Sequence, residues 1–151
     1  MGRFTSLESS ELCKDWRLED RAALAQFLEK QELKAGEHLF FEKSVEQKLY
    51  FIDSGRLKIQ FGSYHTELGP GESLGELSLV AKQEKQITAT ALDLCLFWVI
   101  TEGAWSRMKH EAPEVATRLL ESIQMKYARL LSSNVAPPQL SSAGTEPTKT
   151  V

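Results

Sequence analysis

The stretch "RLKIQFGSYHTEL", residues 56–68, carries an apolar period of two. Leu57, Ile59 and Phe61 alternate with Arg56, Lys58 and Gln60, so an extended segment here has one apolar and one polar face. Gly62-Ser63 follows, a two-residue pair suited to a tight hairpin turn, and then Tyr64 to Leu68. The stretch therefore predicts two antiparallel strands, one face of which needs cover.

Outward from this hairpin the same pattern continues. Turn signals stand at Asp53-Ser54-Gly55 and Gly69-Pro70-Gly71. Short strands parted by turns about every 8–12 residues predict an antiparallel barrel or jelly roll. The last strand region, Ile87 to Ile100, ends in the nearly continuous apolar run Leu94–Ile100, a pattern expected when both faces are covered.

On either side the period lengthens. Leu18, Ala22, Ala25 and Leu28 recur at helical spacing beside Leu24 and Phe27, which predicts helix over Leu7 to Gln31, with Gly36 closing the region. After Thr101 a short helix is expected over residues 102–110, then a longer one with Pro113 at its first position. Ala116, Leu120, Ile123, Tyr127 and Leu130 are spaced 4, 3, 4, 3, the a/d seam of a helix that packs along one face. The reading is an α+β chain, with an antiparallel β-roll or jelly-roll barrel flanked by an N-terminal helix and C-terminal helices. Its parts are a helical region 1–36, a β-roll core 37–100, helices 101–132 and a Ser/Pro/Thr-rich flexible tail 133–151.

Composition narrows the function. Apolar residues make up 42% and charged residues 26%, and the net charge is −3, so no basic patch recommends DNA as a partner. No apolar run reaches the roughly 18 residues of a membrane span. Two distant cysteines, Cys13 and Cys95, fit reduced thiols and a cytoplasmic setting. His38, His65 and His110 have no second ligand at metal spacing, so no metal site is expected. Met1 to Ser6 matches a myristoylation pattern, as six residues readily do by chance, and nothing else in the chain supports lipidation. No nucleophile–base pair or Walker loop points to an enzyme.

Three motifs in order carry a family resemblance: "LKAGEHLFFE" (33–42), "KLYFIDSGRLKI" (48–59) and "LGPGESLGELSLV" (68–80). Together they resemble the cyclic-nucleotide-binding domain, the sensory half of the catabolite activator protein and of cyclic-AMP-dependent kinase regulatory subunits. The third motif resembles the opening of that family's phosphate-binding cassette. The resemblance implies a candidate ligand site of Gly75, Glu76, Leu77, Ser78, Lys85, Gln86 and Thr88, and a cyclic nucleotide as the one candidate cofactor. It assigns Gly75 to close backbone approach and Glu76 to the ribose 2′-hydroxyl. Relatives then carry Pro-Arg where this chain has Glu84 and Lys85, and small residues where it has Gln86 and Ile87. Lysine keeps the charge but loses the planar fork, Glu84 opposes an anion, and Ile87 takes up room. Lys43 stands where many relatives have a turn Gly.

Two functions stay open. One is a module with lost or altered ligand binding, acting through an unknown protein partner or a homodimer through the C-terminal helix. The other is a working cyclic-nucleotide sensor that moves its C-terminal helices. An activator-type transcription factor is not expected, because only tail-like residues follow the long helix. The seam itself suits either docking on the chain's own barrel or pairing between chains.

Overall fold

The computed structural model describes residues 7–40, 43–81 and 84–132, with side chains to residue 129. The expectations for Met1–Ser6, for Leu130 as a seam side chain and for the tail lie outside the described residues. Among the described residues, eight strands form two antiparallel sheets: β1 (Glu29–Leu33), β2 (His38–Phe40), β3 (Leu49–Ser54), β4 (Leu57–Phe61), β5 (Tyr64–Leu68), β6 (Ser73–Leu74), β7 (Thr88–Ala91) and β8 (Cys95–Ile100). One sheet runs β1-β8-β3-β6 and the other β2-β7-β4-β5, so chain neighbours alternate between layers, as in a jelly roll, except at the β4–β5 hairpin. The hairpin turns at Gly62-Ser63, with Phe61 opposite Tyr64 and Leu57 opposite Leu68. Gly55 makes the turn into β4 at φ +91°, where a Cβ would lie 2.4 Å from the Leu94 carbonyl oxygen, so no other residue fits.

Two apolar cores result. Between the sheets, Tyr50, Ile52, Leu57, Ile59, Cys95, Phe97 and Val99 interdigitate. On the outer side of the β3/β8 sheet, Phe51, Trp98 and Ile100 meet the helical layer. That layer comprises α1 (Leu18–Ala25), α3 (Glu102–Glu111) and α4 (Pro113–Ser132), with residues 7–16 beside them. The apolar run ending β8 is thus covered on both faces, as its sequence predicts. Leu94 itself is exposed because it precedes the strand.

The N-terminal helix is shorter than its sequence predicts, which corrects the reading of helix through Gln31. Helix stops at Ala25, and residues 29–33 are the edge strand β1, paired with β8 from Glu29↔Val99 to Leu33↔Cys95. "EKQEL" has no strand-like apolar alternation. Its pairing comes from the free edge of β8, and tertiary context overrides local propensity. Leu18, counted on the helix's apolar face, is exposed. The 87–100 strand region likewise resolves into two strands in different sheets, separated by the bend at residues 92–94.

Candidate functional site

β6 leads into the cassette. Gly75 follows it at φ +89°, and a Cβ there would lie 2.3 Å from the Lys48 carbonyl oxygen. Only glycine can let these two backbone segments touch, with or without a ligand. The short helix α2 (Glu76–Val80) begins directly after. Ser78 serves this junction: its hydroxyl lies 2.6 Å from the Gly75 carbonyl and accepts the Lys48 N–H at 3.1 Å. Leu77 is half-buried against the helical core.

Glu76 is 0% exposed. Its carboxylate accepts from Ser73 Oγ at 2.6 Å, Lys126 Nζ at 2.5 Å and Tyr127 Oη at 3.2 Å. Two of the three donors come from α4, fifty residues along the chain. The carboxylate that the resemblance gives to a ribose is therefore held by the chain's own long helix. Burial, and then Glu76 itself, push the Tyr127 phenol far above its ordinary range, so it remains a donor.

Lys85 lies across the cassette, 6% exposed, with Nζ 4.7 Å from the Phe40 ring centroid. Its backbone is pinned to the 43–45 segment: its N–H donates to Ser44 at 2.8 Å and its carbonyl accepts from Lys43 at 2.7 Å. Burial lowers the Lys85 pKa, opposed by the negative fields of Glu46 and Glu76. Glu46 also accepts from Tyr50 Oη at 2.7 Å. The amine thus sits against an aromatic face, in the negative fields of two carboxylates. Gln86 and Thr88 are half-buried, Ile87 is packed in the inter-sheet core, and Glu84 is exposed. Lys43 holds φ +75°, the left-handed conformation for which a glycine is suited.

The seam of α4 faces inward. Ala116, Ile123 and Tyr127 are buried and Leu120 half-buried, all in the core shared with α1, α3 and the sheet. Lys126, Ser73 and Glu46 are participants that the family pattern does not supply. For Lys126 a faint signal exists: Leu119, Ser122 and Lys126 follow the i, i+3, i+7 spacing of the buried face, so a charge interrupts an apolar stripe.

The family model described as "Cyclic nucleotide-binding domain" matches residues 30–111, more than half of the chain. A putative potassium channel protein of Rhodopseudomonas palustris is 22% identical over 121 residues, covering 78% of this chain. The chain spans 29% of that protein's length. Among solved structures, the N-terminal domain of a transcriptional regulator from Streptomyces coelicolor A3(2) superposes with a TM-score of 0.72 at 25% identity, covering 85% of this chain and 93% of that one. The Thermus thermophilus catabolite activator protein gives 0.64 at 22% identity, covering 83% and 62%.

Proposed function

The chain belongs to the cyclic nucleotide-binding domain family, and from that premise we propose that it is a non-enzymatic regulatory module whose cassette is closed by its own long helix and binds the usual cyclic nucleotides weakly. The observation carrying this reading is Glu76, fully buried and held by Ser73, Lys126 and Tyr127. A ribose hydroxyl reaching this carboxylate gains a charge-assisted hydrogen bond of about 1.5–3 kcal/mol. Displacing Lys126 from a buried carboxylate costs about 3–5 kcal/mol. The exchange is unfavourable before the missing guanidinium fork at Lys85 is counted.

The module then acts through protein contact, either a separate protein or a second copy of the chain. Two free, buried cysteines are consistent with a reducing, cytoplasmic setting. No helix among the described residues is long and apolar enough to cross a membrane. One observation favours the second reading, a working sensor: the Lys85 amine persists at the cassette, buried against the Phe40 ring.

Calorimetric titration with cyclic AMP and cyclic GMP decides between them. From a micromolar reference, a loss of about 3 kcal/mol puts the dissociation constants above about 100 μM. Low-micromolar binding of either nucleotide refutes the closed-cassette reading.

A further inference from the structure

We propose that residues 135–140, "VAPPQL", lie in the apolar groove between the cassette helix and the last two helices and strap α4 onto the cassette. The groove encloses about 580 Å³ between Leu77 and Val80 of α2, Trp105 of α3, and Leu120, Tyr127 and Ala128 of α4. Val80 is 59% exposed, and Leu77 and Leu120 are half-buried, so the described residues leave apolar surface of two elements uncovered. The lining positions of α4 run from Leu120 to Ala128, and the helix ends at Ser132, about one turn further on. The chain therefore leaves α4 at one end of the groove.

Chemistry, reach and tethering choose this occupant. Val135 and Leu140 are the only branched aliphatic residues between Ser132 and Val151, and they bracket Ala136-Pro137-Pro138 in an otherwise Ser/Thr-rich stretch. No charged residue occurs from Ser132 to Thr145, so no charge is desolvated when the segment enters an apolar groove. Pro137-Pro138 disfavours continued helix and favours an extended polyproline course of about 3.1 Å per residue. The eight residues 133–140 then span roughly 25 Å, against roughly 18 Å along α4 from Ser132 back to Leu120. Leu140 thus reaches the Leu120 end of the groove, with length left for the reversal after Ser132. A polyproline course leaves its carbonyls unpaired, and Gln124 and Lys109, exposed at the groove, are donors for them. Only Ser133 and Asn134 separate the segment from α4, so a weak contact is held at a local concentration in the millimolar range. A second copy of the chain has no such advantage. Tyr127 lines the groove and donates to Glu76, so the strap presses α4 against the cassette. In that consequence alone the proposal rests on the closed-cassette reading.

Paramagnetic relaxation, read by NMR on the full chain, tests the strap. Cys13 and Cys95 are buried, so a nitroxide attached through Ser141→Cys labels only the end of the segment. Two indole N–H signals report from different sides of α4: Trp105 lines the groove, and Trp16 donates to Ser122 at 2.8 Å. We expect the Trp105 indole and the Leu77 and Val80 amides to broaden several times more than the Trp16 indole. The double change Val135→Asp, Leu140→Asp, which leaves the two cores untouched, should remove that difference. Ala128→Trp, which fills the groove from an exposed position, should remove it as well. Circular dichroism establishes that each variant is folded. Equal broadening at Trp105 and Trp16, or a difference that survives either change, overturns the proposal. Broadening that arises only between a nitroxide-carrying chain and a separate isotope-labelled chain makes the occupant a second copy and overturns it too. The nucleotide titration reads the cassette and the nitroxide reads the groove, so the two readings fail separately.

Discussion

Replacing Lys126 with methionine isolates what the long helix contributes at the cassette. The Lys126 ammonium lies 2.5 Å from Glu76 Oε2, and the carboxylate is fully buried. Methionine keeps most of the aliphatic volume and removes the charge, which leaves Glu76 with Ser73 and Tyr127 as its donors. Removing one partner of a buried pair costs about 3–5 kcal/mol, most of it the penalty on the charge left behind. For a domain of this size each kcal/mol moves the melting temperature by roughly 3–5 °C. The expected fall is therefore on the order of 10–20 °C, read by thermal and urea unfolding followed by circular dichroism. Glu76→Gln alone should also destabilise, since it strands the buried ammonium. The double variant Glu76→Gln, Lys126→Met should cost less than the two singles added together, by about 2–4 kcal/mol, because neither charge is then stranded. A loss below about 1 kcal/mol in Lys126→Met, or strict additivity in the double variant, refutes the pair as the fastening between α4 and the cassette.

Other perturbations follow from the same geometry. Ile123→Glu buries a carboxylate at a position 1% exposed, so unfolding should show a loss above about 3 kcal/mol; a folded variant with unchanged melting temperature but altered mass in light scattering would instead favour pairing between chains. Lys43→Gly relieves the left-handed backbone at φ +75° and should stabilise by about 0.5–1 kcal/mol in urea unfolding, the strain of about 1–2 kcal/mol less the added freedom of the unfolded chain. Burial pushes the Cys13 thiol from 9.0 up to about 12, against the fields of Arg21 and Arg118, so iodoacetamide at pH 8 should leave it unmodified until the chain is unfolded. Because the folded value is raised, the stability linked to this thiol is complete below pH 9.0 and is lost as pH rises toward about 12. Cys13→Ala should remove that part of the alkaline decline, measured as urea midpoints across this range.

What the sequence determined by itself is whatever is written in neighbouring residues. The alternation through Leu57–Phe61 and the Gly62-Ser63 pair set the hairpin, and the change to helical spacing after Thr101, with Pro113 opening the long helix, set the C-terminal layer. Gly75 was singled out by the resemblance to the family's cassette, and its close approach to the Lys48 carbonyl is a contact that only the fold makes. Tertiary structure alone decided the rest. "EKQEL" became a strand because β8 offered an edge, and Ser73–Leu74 became one because β3 did. The a/d seam is equally compatible with a partner helix or the chain's own core, and the packing of α1, α3 and the sheet beneath α4 turned it inward. Above all, nothing local joins Glu76 to Lys126. A carboxylate after Gly75 reads the same whether it awaits a ligand or an ammonium fifty residues away, and it is the path of the long helix across the cassette that brings the ammonium to it.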